Sequence, residues 1–206
     1  MTSKLDRRSF LATAFAGGAA LAATPALAAP DLMSKEAVLH DPEAPILGNP
    51  KGDVTIVEWF DYQCPHCKKA YPEIRKIVAD DGKIRLVMKD WPIFGPASER
   101  ATHLTLAAGK FRPQALDTLM RTEGRLTDEM IDARLKAAGF DVAALERAYR
   151  RDQKRIDALV ARNSGQAEAF GFLGTPAYVV GTVLFPGVPS MQDFRQAIED
   201  ARAKSG

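Results

Sequence analysis

The sequence predicts an α/β fold in which a central sheet is flanked by helices and interrupted by a block of further helices. Two apolar runs separated by a helical pattern occupy residues 54–88, and four helical patterns follow between residues 97 and 170. Two short strand patterns and a last amphipathic helix then complete the chain. The hydrophobic period therefore changes from strand to helix and back, which is typical of an α/β domain with an insertion.

The composition indicates a globular chain with a neutral body. The 206 residues are 46% hydrophobic and 26% charged, values that suit one domain with a core. The formal net charge of +2 comes entirely from the first 28 residues, which contain Lys4, Arg7 and Arg8 against Asp6. The remaining chain is neutral overall, so it offers no broad electrostatic surface for nucleic acid.

The first 28 residues have the pattern of an export signal. Residues 6–11 (DRRSFL) resemble a bacterial twin-arginine signal, and an apolar run follows over residues 10–27. The run ends in a small-x-small cleavage pattern, so we expect cleavage after Ala28. A membrane anchor is the alternative, since the run is about long enough to span a bilayer, although it consists mostly of weakly inserting Ala and Gly. A basic leader also serves general secretion. Either route delivers the protein to an oxidising compartment.

A strand–helix–strand unit begins the predicted domain, which spans residues 29–206. Residues 54–60 are apolar and β-branched, which indicates a buried strand. From Pro65 apolar residues recur at helical spacing until an Asp-Asp-Gly stop, and residues 84–88 alternate as a second strand. The preceding residues 29–53 are rich in Pro and Gly and predict a loop with one helical turn at residues 35–39.

A helical insertion is expected over about residues 97–171, between the two halves of the sheet. Its helical patterns cover residues 97–111, 113–122, 128–138 and 142–170. After Gly174 the pattern predicts a hairpin of residues 177–180 and 183–185, followed by a helix capped by Ser190. This order of elements is that of a thioredoxin-like fold with an inserted helical domain.

The chain has only two cysteines, Cys64 and Cys67, and their spacing excludes several classes of site. Two cysteines cannot form a multi-disulfide framework or a four-cysteine zinc site. Lys68 occupies the position at which a haem attachment motif needs histidine. The three histidines are His40, His66 and His103, which lack zinc-finger spacing. We therefore predict no cofactor and no metal site.

The pair lies between a predicted strand and a predicted helix, where the helix N-terminus favours an anion. Cys64 would be an exposed attacking thiolate, because the thiolate is the nucleophile in disulfide exchange. Pro65 suits the first helical turn, and a protonated His66 would add positive charge. Cys67, one turn later, would be the buried resolving thiol that releases the substrate. A stabilised thiolate favours the reduced form and makes the disulfide form a strong oxidant, that is, a disulfide donor.

Two other roles for the pair stay open at this point. A structural disulfide across two intervening residues would close too small a loop to stabilise much. A Cu(I) site is chemically feasible because two thiolates can bind this ion, with His66 as the obvious further ligand.

The sequence resembles the DsbA-like family of bacterial periplasmic thiol:disulfide oxidoreductases over about residues 40–204. The tetrapeptide at residues 64–67 (CPHC) is identical to the family's active site. Residues 57–63 (VEWFDYQ) resemble the family's strand before the cysteines, and residues 174–177 (GTPA) resemble its cis-proline loop. Residues 91–95 (WPIFG) resemble a loop of the DsbA-like, Com1 and suppressor-of-copper-sensitivity branch of the family.

This resemblance implies further site residues. Pro176 would be cis, and the loop with Thr175 would pack against the cysteines and bind an extended substrate through its backbone. Glu58 and Lys89 match a buried acid–base pair beneath the family's cysteines, and Glu58 would carry the proton of Cys67. The alternative is that Glu58 lies near a strand edge in solvent. Asp61 is a second candidate local acid.

The resemblance also implies partners: reduced or unfolded exported proteins as substrates, and a membrane redox partner that resets the cysteines in the periplasm. Thr175 departs from the best-known oxidase and resembles the isomerases DsbC and DsbG, so an isomerase or reductase kept reduced is an alternative. Only about 25 residues separate the leader from the first predicted strand, which favours a monomer.

Overall fold

The computed structural model describes residues 31–205, and the predicted export signal at residues 1–28 lies outside this range. Seven α-helices and five strands occur within it. In chain order they are α1 (Lys35–Leu39), β1 (Ile46–Gly48), β2 (Val54–Phe60), α2 (Pro65–Asp81), β3 (Ile84–Asp90), α3 (Pro96–Ala107), a 3₁₀ turn (Gly109–Phe111), α4 (Arg112–Met120), α5 (Asp128–Ala137), α6 (Val142–Ala169), β4 (Ala177–Val180), β5 (Val183–Phe185) and α7 (Met191–Ser205).

The strands form one mixed sheet in the order β1-β3-β2-β4-β5. β2 and β3 run parallel because α2 connects them, and the other neighbouring pairs are antiparallel. β2 is central and its residues are almost all buried, as expected for a continuous apolar run. The fold class predicted from the sequence, a thioredoxin-like α/β fold with inserted helices, is confirmed.

Each face of the sheet has its own hydrophobic core. Side chains alternate along β2, so Ile56 and Phe60 point to the face covered by α2 and α7, whereas Val57 and Trp59 point to the other face. On that second face α1 and the end of α6 cover the sheet. The Trp59 indole N–H donates to the Asn163 carbonyl at 3.0 Å and thereby attaches α6 to the sheet.

The insertion comprises α3 to α6 and lies between β3 and β4 in the chain. The core on the α2 side continues into it through apolar side chains of three of its helices, Leu104, Leu116 and Ile131. The core on the α2 side of the sheet therefore extends into the inserted helices. Within residues 31–205, no helix is both long enough and apolar enough to span a bilayer.

The structure differs from the predicted elements mainly at β1 and at the insertion. β1 lies in a segment predicted to be a loop, since three residues in a Pro- and Gly-rich stretch give no periodic signal. It forms because Leu47 pairs with Leu86 of β3. The helix predicted over residues 97–111 ends at Ala107, and the 3₁₀ turn replaces its last part. The caps predicted at Gly82 and Ser190 are confirmed: Gly82 has φ +67°, and the Ser190 hydroxyl accepts from the Asp193 N–H.

Candidate active site

Cys64 is the N-cap residue of α2. The turn before it is closed by its own backbone N–H, which donates to the Asp61 carbonyl at 3.1 Å. Its sulfur accepts the N–H of Cys67 at 3.2 Å, as a capping side chain does. Pro65 then occupies the first helical position, where no N–H is needed. The sequence therefore places this sulfur at the positive end of a 17-residue helix.

The surroundings of the Cys64 sulfur lower its pKa to about 6 from an ordinary value of 9.0. The largest cause is a hydrogen bond from the Cys67 thiol; the Thr175 hydroxyl and the backbone N–H groups of Cys67 and His66 also favour the anion, against the opposing effect of burial. In the thiol form, the Cys64 sulfur donates to the Thr175 carbonyl at 3.2 Å. The site therefore holds a thiolate near neutral pH.

Cys67 has the opposite electrostatic environment. Burial raises the pKa of its thiol far above the ordinary value, and the neighbouring Cys64 and Glu58 raise it further. Both cysteines are free thiols in this structure. At neutral pH the pair therefore carries one thiolate, on Cys64, and one thiol, on Cys67.

The expected difference in exposure between the two cysteines is wrong for this structure. Cys64 is only 1% exposed and Cys67 is fully buried. Cys64 is covered because its sulfur packs against the Thr175 carbonyl, a contact with a residue 111 positions away that no local pattern reveals. The two thiols differ in pKa rather than in accessibility.

The loop before β4 provides the opposite wall of the site. The Thr175–Pro176 peptide bond is cis, which confirms the expectation from the sequence. The Thr175 hydroxyl is buried, and its interaction with the Cys64 sulfur favours the thiolate. Leu173, two residues earlier, is 98% exposed, so the loop presents an apolar side chain to solvent beside the buried cysteines.

Glu58 lies beneath the cysteines in the central strand β2 and is fully buried. The alternative that it is solvated at a strand edge is therefore wrong. Burial raises the pKa of its carboxyl to about 8; a hydrogen bond from the Tyr178 hydroxyl opposes the shift, and the charge of Cys64 adds to it. The same acid in turn raises the pKa of Cys67. Glu58 is thus mostly protonated at pH 7 and interacts with both thiols.

Tyr178 is a site residue that the sequence did not reveal. It lies directly opposite Glu58 across the antiparallel β2–β4 pair, so both side chains lie on the cysteine side of the sheet. Its hydroxyl and both carboxyl oxygens of Glu58 are buried, and none of them bonds to a third group in the described chain. Two unpaired polar groups in one pocket are costly unless they pair with each other. The two residues meet because of the β2–β4 register, which the sequence does not reveal. The one feature of the sequence that could have pointed to Tyr178 is its position two residues after the cis-proline.

The predicted pair of Glu58 and Lys89 is not formed. In the parallel β2–β3 register Glu58 lies beside Met88, and Lys89 lies beside Trp59, which points to the opposite face of the sheet. Lys89 is fully buried there and donates to the Asp41 carboxylate at 3.1 Å. The side-chain alternation of β-strands therefore separates the two groups by the thickness of the sheet.

Asp61 is a structural acceptor rather than a free acid. Its carboxylate accepts four hydrogen bonds, from the backbone N–H groups of Gln63, Ile93 and Phe94 and from the Ser98 hydroxyl, at 2.6–3.0 Å. These bonds hold the loop after β3 against the turn that leads to the cysteines. The resemblance noted for residues 91–95 therefore corresponds to a physical contact with the site.

His66 and Pro65 are exposed on the first turn of α2. His66 stabilises the Cys64 thiolate through its backbone N–H. A contribution from the protonated ring stays a prediction. No group of three or more His, Cys, Asp or Glu side chains within residues 31–205 is arranged to bind a metal ion.

Together, the sheet order, the cysteine pair at the start of α2 and the cis-proline loop define a thioredoxin-fold protein with a dithiol site. The comparisons with known proteins agree. A family model described as "Thioredoxin" matches residues 40–200. A thioredoxin-like oxidoreductase from Silicibacter pomeroyi is 34% identical, with a TM-score of 0.78 over 82% of this chain and 98% of that chain.

Two further relatives indicate which branch of the thioredoxin family the chain resembles. The thiol-disulfide exchange protein α-DsbA2 from Wolbachia pipientis is 26% identical, with a TM-score of 0.73 over 79% of this chain and 89% of that chain. The thiol:disulfide interchange protein DsbA of Bordetella parapertussis is 29% identical over 82% of this chain and 83% of that protein. The chain belongs to the thioredoxin family and, within it, to the DsbA-like thiol:disulfide oxidoreductases.

The match to some curated relatives is partial. The chain spans 26% of the length of a Na(+)/H(+) antiporter, NhaA 1, from Salinispora arenicola, and 18% of a putative protein-disulfide oxidoreductase from Rickettsia prowazekii.

The hydrogen bond from Cys67 leads to a first prediction. Cys67→Ala removes the thiol donor, so the pKa of Cys64 should rise above about 6. Cys67→Ser keeps a donor at the same position and should raise it less. The ultraviolet absorbance of the thiolate, followed against pH in the reduced protein, gives both midpoints. Midpoints in both variants equal to that of the unmodified protein would show that the Cys67 side chain does not stabilise the thiolate.

Proposed function

We propose that this protein is an exported thiol:disulfide oxidoreductase that donates its Cys64–Cys67 disulfide to thiols of other exported proteins. The observation that carries the proposal is the opposite pKa shift of the two thiols: Cys64 is lowered to about 6 and Cys67 is raised. A Cys64 thiolate of low pKa is a good leaving group when the disulfide is transferred to the substrate. The predicted leader supports location in the periplasm.

The reaction runs in two exchanges. A substrate thiolate attacks the sulfur of Cys64, the Cys64–Cys67 bond breaks, and a mixed disulfide forms while Cys67 leaves with the electron pair. A second substrate thiolate then attacks the substrate sulfur of the mixed disulfide, and Cys64 leaves as its thiolate. The substrate is oxidised by two electrons and the protein pair is reduced. A membrane redox partner would accept these electrons and restore the disulfide.

Glu58 and Tyr178 serve the Cys67 side of this exchange. Cys67 has a raised pKa, so it must gain a proton when it leaves and lose one when it attacks. Glu58, with a pKa of about 8, can hold that proton at neutral pH. The Tyr178 hydroxyl opposite it would donate to the carboxylate that remains and keep it paired.

Thr175 and the cis Pro176 would receive the substrate. The exposed Leu173 and Phe94, 98% and 47% accessible, flank the site and offer apolar contacts to an unfolded chain. An extended substrate segment would pair with the loop backbone beside Cys64.

An isomerase or reductase kept in the dithiol form is the second candidate, and Thr175 is the observation that favours it. Its hydroxyl stabilises the Cys64 thiolate, which is also the form that attacks a substrate disulfide. Cu(I) binding would need the two thiolates together with His66. Within residues 31–205, however, the side chains of these three residues are not grouped as a metal site.

Trapping of intermediates tests the proposal. Cys64→Ser should abolish oxidation of a reduced model protein, because the Cys64–Cys67 disulfide that the substrate attacks can no longer form. Cys67→Ser, mixed with a model protein that carries a disulfide, should instead accumulate a mixed disulfide visible on a non-reducing gel, because Cys64 attacks the substrate disulfide and no resolving thiol releases the product. Absence of the adduct in Cys67→Ser, or its presence in Cys64→Ser, would reverse the assigned roles.

The redox potential decides the direction of exchange. A low pKa of Cys64 stabilises the dithiol form, so the pair should be more oxidising than thioredoxin when titrated against glutathione. A potential close to that of thioredoxin would exclude the oxidase and leave the reductase or isomerase.

Glu58 should give the resolution step a pH dependence. Resolution of a mixed disulfide by Cys67 should accelerate as pH rises through about 8, where Glu58 becomes a carboxylate. Glu58→Gln should slow this step about 100-fold at pH 9 and remove the rise. Tyr178→Phe keeps the ring against Phe194 but deletes the hydroxyl that lowers the Glu58 pKa, so the rise should move to higher pH. Stopped-flow measurement of the step provides the rates, and a profile identical in all three proteins would remove both residues from the mechanism.

Stability provides a control for the Glu58 substitution. Its pKa is raised in the folded state, so the folded protein loses stability as pH rises from the ordinary 4.5 towards about 8. Glu58→Gln should therefore unfold at higher denaturant than the unmodified protein at pH 9 and at nearly the same concentration at pH 4.

A further inference from the structure

A cleft of about 840 Å³ lies directly beside the cysteine pair. One wall is the first turns of α2, and the other is the segment of residues 120–125 after α4. Gln63 and Pro65, on either side of Cys64 in the chain, line its end. The two walls are joined where the Lys68 ammonium donates to the Gly124 carbonyl at 3.0 Å. A chain bound to Cys64 would enter this cleft within one or two residues.

The lining of the cleft is strongly basic. Four basic side chains line it against a single acidic one, Glu123; they are Lys68, Lys69, Arg121 and Arg125. Arg121 is partly neutralised by a bidentate pair with Asp117 at 2.7 and 3.0 Å. The other three form no ion pair with an acidic residue of the described chain. Lys69 and Arg125 are exposed.

This local charge contrasts with the chain after the leader as a whole, which is neutral overall. Uncompensated cations around a concave surface attract anions from solution and orient them at the surface. The cleft also has apolar lining, from Phe94, Pro72 and Met120. Its volume is in the range of clefts that bind a drug-sized ligand.

We propose that this basic cleft selects substrates whose reactive cysteine is flanked by an extended segment carrying acidic and apolar residues. The inference rests on the proposed function, because the cleft is useful only if Cys64 forms mixed disulfides with polypeptides. Carboxylates of the segment pair with Lys69 and Arg125, and an apolar side chain contacts Phe94 while Cys64 holds the cysteine.

The test compares three cysteine peptides that differ only in the residues beside the cysteine, which are acidic, neutral or basic. The ratio of kcat/KM for the acidic over the neutral peptide should exceed one and fall as salt is added. Lys69→Glu combined with Arg125→Glu should lower this ratio about tenfold. Arg151→Glu combined with Lys154→Glu makes the same change in charge on exposed residues of α6 outside the cleft, and should leave the ratio unaltered.

Binding separates this inference from the proposed function. The same peptides with serine in place of cysteine cannot exchange, so their dissociation constants report on the cleft alone. Tighter binding of the acidic serine peptide, lost only in Lys69→Glu/Arg125→Glu, supports the cleft even if no peptide is oxidised. Equal affinity for the acidic and neutral serine peptides, or equal losses in the cleft variant and the α6 variant, would overturn it.

Discussion

The position of the Cys64 sulfur at the N-terminus of α2 is the constraint on which the rest of the site depends. It accepts the Cys67 N–H as a helix cap and lies against the Thr175 loop. A thiolate here is stabilised by donors that the fold already provides, so its low pKa needs no neighbouring cation. The other groups of the site are arranged around this anion. Cys67 stays protonated next to it, and the cis-proline loop covers it.

Cys67, the more deeply buried thiol of the pair, needs a group that can accept and return its proton. Cys67 is enclosed in the core and must change protonation state during exchange. Glu58 and Tyr178 are the polar groups that the sheet places beneath it, and they are opposite each other across two central strands. A buried acid without an ion partner is costly to stability, which is why its pKa rises towards the range where it can exchange protons at working pH.

The charged groups on the two faces of the sheet have different roles. On the cysteine side no cation within residues 31–205 pairs with Glu58, which stays titratable. On the other face Lys89 is paired with Asp41, and Arg162 also donates to Asp41 at 3.0 Å, so this network attaches α1 and α6 to the sheet. The face with the cysteines thus holds the reactive groups, and the opposite face holds ion pairs that stabilise the fold. On the cysteine side, Asp61 also holds the loop that places Phe94 at the entrance of the basic cleft.

The sequence by itself determined the parts of the site that depend on local geometry. A cysteine capping a helix three residues before a second cysteine, and a strand before it, follow from neighbours in the chain, and so does the thioredoxin-like order of elements. The tertiary structure alone decided which distant groups meet. The burial of Cys64 under Thr175, the pairing of Lys89 with Asp41 and the meeting of Glu58 with Tyr178 all depend on strand register. A shift of one residue moves a side chain to the opposite face of a sheet. Because the insertion separates β2 from β4 in the chain, no turn between these two strands fixes their register.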